Sequence, residues 1–229
     1  MTQSLLCLTT LCITSCIAST VCRKSFPETS SRDLLLTLVD KVDTPPWYIW
    51  TFVKSFRAWN QKATIVVMIP PGLKQNKNLQ FIASTENVHF HTFAESNITR
   101  SFHATSYRFF FWAKFLYKNK NDYDRVITSD CGDVYFQEDP FTRCNAFQNS
   151  HSCTLSMFFE DERYIMGLDR NNEFCSDHAS AKMLSKYPLI NAGFLTGTVT
   201  GFLRFFEFYK WKLSKILVYP CPRTLTLRF

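Results

Sequence analysis

At 229 residues, with 46% hydrophobic side chains and 23 phenylalanines, the chain is long enough and apolar enough to bury a sizeable core. That composition excludes a disordered polypeptide. The formal net charge of +7, from 26 basic against 19 acidic residues, suits a phosphate-bearing ligand or an anionic membrane surface. The basic residues are scattered, without an arginine run or a regular basic and aromatic interleaving, so a nucleic-acid partner is not expected.

Residues 5–22 are almost wholly apolar or small and are closed by Arg23 and Lys24. Residues 1–24 are therefore expected to be a signal peptide, cleaved near Ala18-Ser19-Thr20, or a membrane anchor. The plainer alternative is a hydrophobic N-terminus with no targeting role. Residues 25–33 read as a linker. Of nine cysteines, Cys7, Cys12, Cys16 and Cys22 lie in the first apolar run, and Cys131, Cys144, Cys153, Cys175 and Cys221 follow. None forms a CxxC unit, which argues against a zinc site. In an oxidising lumen Cys144, Cys153 and Cys175 are the better disulfide candidates, with Cys131 a small buried side chain. Asn97-Ile98-Thr99 is an acceptor pattern for an N-linked glycan.

Residues 34–39 read as a strand, with Asp40 and Asp43 beyond it. Thr44 can cap a helix entered through Pro45-Pro46, where missing amide protons cost little. Ile49, Phe52, Val53, Phe56 and Trp59 keep helical spacing and predict one buried face. Residues 63–69 form the next strand, stopped by Pro70-Pro71-Gly72. Strand, helix and strand begin an α/β sheet covered by helices. Residues 79–83 and 88–93 each read as short strands. Residues 101–117 read as a helix carrying Phe102, Phe109, Trp112, Ala113 and Leu116 on one face.

The stretch YDRVITSDCGDVYFQEDPF, residues 123–141, follows. Its apolar run Val126-Ile127 flows into Asp130-Cys131-Gly132-Asp133 with no intervening cation. A buried carboxylate without compensation is costly, and a hard divalent cation is an economical partner for two of them. Val134-Tyr135-Phe136 reads as a second short strand, stopped at Pro140-Phe141. Residues 152–159 alternate as a further strand ending in Glu160-Asp161-Glu162. A short helix is expected over 177–186, a strand over 189–195 around Asn191-Ala192-Gly193, and a helix from Val199 through Phe202, Phe206 and Tyr209. Residues 213–229 read as a final strand and tail. No internal repeat or low-complexity linker interrupts this order.

The quoted acidic stretch, joined by INAGFLTG at 190–197 and preceded by FRAWNQKATIVVMI, resembles the nucleotide-diphospho-sugar transferases of GT-A type. The resemblance covers about residues 34–212, expected to form one GT-A-like catalytic domain followed by an atypical tail over 213–229. It implies a mixed central sheet flanked by helices, holding a nucleotide sugar at its carboxyl edge. By the same resemblance Asp130 and Asp133 would ligate Mn2+ or Mg2+ at the diphosphate. Gly132 would let the turn approach that diphosphate, where family members commonly place an arginine. Asp40 and Asp43 would contact base or ribose. Asn191 and Gly193 would shape the acceptor side, the small residues leaving room and the amide offering both donor and acceptor.

The implied activity is metal-dependent transfer of a sugar from a nucleotide-diphosphate donor to a glycan, protein or small hydroxyl acceptor, in the Golgi or ER lumen, by a membrane-anchored or secreted protein. The alternatives are an inactive nucleotide-sugar or carbohydrate-binding module on the same scaffold, or a metal-dependent phosphoester hydrolase. No residue stands out as a base. Glu160, Asp161 and Glu162 could serve an inverting transfer, or form a solvated charge cluster. Arg108 and Arg125 could neutralise diphosphate or serve the fold. His178 beside Asp177 is a weak metal candidate. The family's usual aspartate-glutamine segment after the asparagine-glycine strand is missing, and after Glu207 the chain has no acidic residue.

Overall fold

A computed structural model describes residues 29–94, 99, 104–143, 155–159 and 190–218. Six strands form one sheet. They are β1 (Asp33–Leu38), β2 (Thr64–Ile69), β3 (Val88–Thr92), β4 (Arg125–Ser129), β5 (Leu155–Phe159) and β6 (Ile190–Thr198). Their spatial order is β3-β2-β1-β4-β6-β5. Neighbours among the first four are parallel, while β6 runs antiparallel to β4 and β5 antiparallel to β6. The sheet is therefore mixed, and the structure is α/β with helices on both faces.

The central strands are apolar at consecutive positions because both faces are covered, as parallel sheets require. Leu35, Ile65, Val67 and Ile127 pack on one face with Ile49, Phe52, Val53 and Phe56 of α1 (Pro46–Arg57) and with Leu79 and Ile82 of α2 (Lys77–Glu86). Leu34, Leu36, Val66 and Val126 pack on the other with α3 (Ala104–Lys118) and α5 (Val199–Val218), which supply Phe109, Trp112, Leu116, Phe202, Phe206 and Tyr209. A short 3-10 turn (Pro71–Leu73) and α4 (Pro140–Arg143) complete the elements.

Several expectations change at element ends. Thr44 does not cap α1: Pro45 holds the N-cap position with no side-chain cap, and Pro46 opens the helix. Trp59 lies beyond the helix and is 54% exposed, because the chain turns at Arg57. The Arg57 guanidinium fixes that turn, donating to the carbonyls of Asn60, Ala63, Glu86 and Asn87. Residues 79–83 are helical. Asn76 caps α2 by accepting from the amides of Asn78 and Leu79, and Asn87 ends it in the left-handed region at φ 52°. Residues 88–92 do enter the main sheet, as its edge.

Val134-Tyr135-Phe136 is not a strand. Tyr135 is exposed, whereas Phe136 turns inward against Phe52 and Phe56, with ring centroids 5.4 and 5.2 Å away. Pro140 opens α4 rather than merely stopping the segment, and the buried Phe141 meets Phe56. The chain after the acidic turn is thus anchored by aromatic packing on α1 instead of by a ladder. At the other end, α5 continues to Val218, so residues 213–218 are helical and not the start of a final strand. The apolar N-terminal segment, Asn97, Cys144, Cys153, Cys175, His178, the 160–162 acidic run and the helix expected over 177–186 lie outside the described residues. Among the described residues no helix is long and apolar enough to cross a membrane.

Arg125 serves the fold. It sits at the amino edge of β4, opposite Asp33 of β1, and donates to both carboxylate oxygens at 2.6 Å. It also donates to the Phe141 carbonyl at 3.3 Å. Both side chains of the pair are nearly buried. Arg125→Met leaves the Asp33 carboxylate buried and unpaired, and is expected to lower unfolding free energy by about 3–5 kcal/mol in a denaturant titration. A loss below about 1 kcal/mol would mean the pair is solvated in the folded state.

Candidate functional site at the carboxyl edge of the sheet

Two chain segments far apart in sequence meet where β4 ends. The Asp130 amide donates to the Gly193 carbonyl at 2.8 Å, extending the antiparallel pairing of Ser129 with Phe194. One strand over, the Thr37 hydroxyl donates to the Ser129 carbonyl at 2.6 Å and ties β1 to the same corner.

The carboxylate of Asp130 fills the space that a side chain at Gly193 would take. A Cβ there would collide with Asp130 Oδ2 and stand 3.2 Å from its Cγ. It would also stand 2.9 Å from Asn191 Oδ1, which accepts from the Gly193 amide at 2.6 Å. Glycine is needed at 193 for this contact and not for backbone freedom, since no described glycine has positive φ. Gly193 is therefore joined to Asp130 by direct geometry, and Asn191 is joined to it through Gly193.

On its other side Asp130 Oδ1 accepts from Arg108 Nη1. Helix α3 begins near the carboxyl edge and runs back along the sheet, which brings its first turns beside Asp130. The Arg108 guanidinium is almost buried and lies over Phe109 and Trp112, 5.5 and 5.3 Å from their ring centroids. Burial still raises the Asp130 carboxyl above the usual carboxylate range. Arg108 pulls the other way, and the neighbouring charges of Asp133 and Asp40 add to the rise. Burial likewise pushes the Tyr107 phenol up to about 12, with Asp40 contributing, and the Cys131 thiol up to about 12, with Asp130 contributing. Cys131 is a buried free thiol, as its position between the carboxylates suggested.

Asp40, Asp130 and Asp133 thus share one field at this edge. Asp133 and Asp40 are exposed. Asp43 is exposed in the loop before α1 and forms no ion pair among the described residues. Gly132 is exposed next to Tyr48, whose ring would lie 3.8 Å from a Cβ at 132, an ordinary contact. Sterics within the chain do not demand glycine there, and its missing side chain leaves the turn open toward solvent. Tyr48 stacks on Trp47 with centroids 4.0 Å apart, so an exposed aromatic pair stands beside the turn.

Among the described residues, three carboxylates against one guanidinium leave this corner net negative. Among the described residues no three His, Cys, Asp or Glu side chains converge to hold a metal by themselves. Mg2+ and Mn2+ are commonly held by one or two carboxylates together with water and substrate phosphates.

Mouse xyloside xylosyltransferase 1 in its apo form has a similar structure, with a TM-score of 0.53 at 12% identity over 86% of this chain and 79% of that one. The chain has the GT-A fold. Within the GT-A fold the corner just described lies at the carboxyl edge of the parallel strands, the place where open α/β sheets bind ligands. Core-mannan synthase A from Aspergillus fumigatus, in a Mn/GDP form, matches with a TM-score of 0.42 at 10% identity, over 82% of this chain and 66% of that one. A 4-diphosphocytidyl-2C-methyl-D-erythritol synthase from Anaerococcus prevotii matches with a TM-score of 0.40 at 9% identity, over 85% and 86%. Likenesses of that strength carry no weight. No family model matches the chain, and no curated protein sequence matches it.

Arg108 is the site residue that sequence reasoning left undecided. Its signal is a lone cation inside the aromatic run Tyr107 to Trp112, where an unpaired guanidinium would be costly. Gly193→Ala is expected to destabilise the protein by about 1–3 kcal/mol through overpacking against Asp130. In an Asp130→Ala background the same change is expected to cost much less. Equal costs in both backgrounds of a double-mutant cycle would show that the contact does not exist in solution.

Proposed function

We propose that the chain is a glycosyltransferase that moves a sugar from a nucleotide-diphosphate donor to a hydroxyl of a glycan, protein or small acceptor, with Mn2+ or Mg2+ as cofactor. The observation that carries this reading is the seating of the Asp130 carboxylate between Arg108 and the Asn191-Gly193 segment, which brings two motifs distant in sequence side by side. Asp130 and Asp133 would hold the cation, with Arg108 as a positioning residue for Asp130. A bound cation would balance charge on the departing nucleoside diphosphate. Gly132 leaves the turn open for the diphosphate. Asp40, with Asp43 further out on the same loop, would contact base or ribose, and Asn191 and Gly193 would border the acceptor. Residues 34–212 would be the catalytic domain, and the apolar N-terminus would deliver or anchor it in the Golgi or ER lumen, where Asn97 could carry a glycan.

The Arg108–Asp130 ion pair favours a second reading, a binding module that retains the platform without transfer, because a guanidinium already neutralises the first carboxylate. Thermal unfolding with a panel of nucleoside diphosphates, with and without Mn2+, separates these from a chance acidic turn. A metal-requiring shift is expected in the native sequence and its loss in Asp130→Ala and in Asp133→Ala. No shift with any nucleotide would remove both readings. Nucleotide release that depends on an added hydroxyl acceptor then supports transfer, and binding without such release supports the module.

A further inference from the structure

The edge strand of the sheet carries a pair of side chains that the sugar-transfer reading does not use. In β3, His89 and His91 are both exposed, and between them Phe90 is half-buried against the layer of α1 and α2. Residues two apart on a strand point to the same face. The register tells which face. His89 pairs with Val66 and His91 with Met68, and both of those side chains belong to the layer under α3 and α5. In agreement, the His91 ring meets Phe115 of α3 edge-on, with centroids 5.6 Å apart. β3 is the outermost strand on its side of the sheet, so both imidazoles keep an open side toward solvent. Among the described residues neither imidazole takes part in a hydrogen bond or an ion pair.

That spacing is what chelation by two imidazoles needs. Alternate Cα atoms on a strand stand about 6.6 Å apart, close enough for two rings on one face to turn toward a shared ion. Each ring nitrogen would then lie about 2.0–2.1 Å from the metal. On a helix the same spacing in sequence would turn the two rings to opposite sides. Ligand type selects the ion. Imidazole suits Zn2+, Cu2+ and Ni2+, whereas carboxylate and water suit Mg2+ and Mn2+. No third His, Cys, Asp or Glu joins the pair among the described residues, which leaves the remaining coordination positions to water. β3 is three strands away from β4, roughly 14 Å across the sheet, so the imidazole pair and the carboxylate corner at Asp130 share no ligand.

We propose that His89 and His91 form a second metal site on the edge strand, which takes Zn2+ through two imidazoles and water. The site stands independently of sugar transfer and prefers a different class of cation from the corner at the carboxyl edge.

The test is titration of the full chain with Zn2+ against a chromophoric zinc indicator, in an excess of Mg2+ that occupies oxygen ligands. The nine cysteines of the chain can also take zinc, so the reading is the zinc equivalent that disappears with the histidines. The native sequence is expected to bind one equivalent more than His89→Gln/His91→Gln. Each single change is expected to weaken that equivalent at least about tenfold, because one imidazole alone cannot chelate. Asp130→Ala is expected to leave it in place. Both histidines are exposed, and an unchanged thermal midpoint without metal confirms that each variant is folded. If His91→Gln disturbs the packing on Phe115, His89→Gln decides alone. Equal zinc stoichiometry and affinity in the native sequence and in the histidine variants, or loss of the equivalent in folded Asp130→Ala, overturns the proposal. Because the assay contains no nucleotide, its failure leaves the transferase reading untouched.

Discussion

The pairing of β6 with β4 is the constraint from which the rest of the site follows. It is antiparallel in a sheet whose other central strands are parallel, so the start of β6 arrives at the same edge where β4 ends. Only this arrangement lets the Gly193 carbonyl take the Asp130 amide and lets the Asp130 carboxylate occupy the space left by the missing side chain. A shift of register by one residue would turn Asp130 to the opposite face, toward the packing around α1, and separate it from Arg108. The apolar core on both faces holds that register, because each strand residue that slipped would exchange one buried environment for another of the wrong shape.

The two ends of the sheet use charge differently. At the amino edge Asp33 and Arg125 are closed on each other with two short hydrogen bonds and little exposure, which locks β1 beside β4. At the carboxyl edge Arg108 meets Asp130 through Oδ1, while Asp133 and Asp40 remain in solvent. A satisfied pair supports the fold, and the carboxyl edge keeps two carboxylates exposed, those of Asp40 and Asp133. The aromatic staple of Phe136 and Phe141 on α1 explains how the intervening turn stays in place without a strand.

Much of this was legible in the residues. β1, β2 and β4 show as short apolar runs because both of their faces are buried, and α1 and α5 show through helical spacing of Phe and Ile. Residues 79–83 misled because a five-residue apolar stretch fits either period, and the deciding signal was the cap at Asn76. Val134-Tyr135-Phe136 misled because β propensity could not reveal that Phe136 packs on α1 while Tyr135 faces water. The acidic turn and the Asn191-Gly193 segment were each visible, but their contact depends on strand order. Arg108 was undecidable for the same reason, since a helix residue reaches Asp130 only once α3 is laid across the sheet.

The central claim is that Asp130 belongs to a cation and diphosphate site completed by the ligand itself. Electron paramagnetic resonance of Mn2+ reads this directly, because the sharp signal of the hydrated ion is lost when the ion is immobilised. With nucleoside diphosphate present, adding the protein should remove the free-ion signal beyond what nucleotide alone removes, and Asp130→Asn should abolish that extra loss. An unchanged signal in the native protein, or the same loss in the Asn variant, would contradict the account.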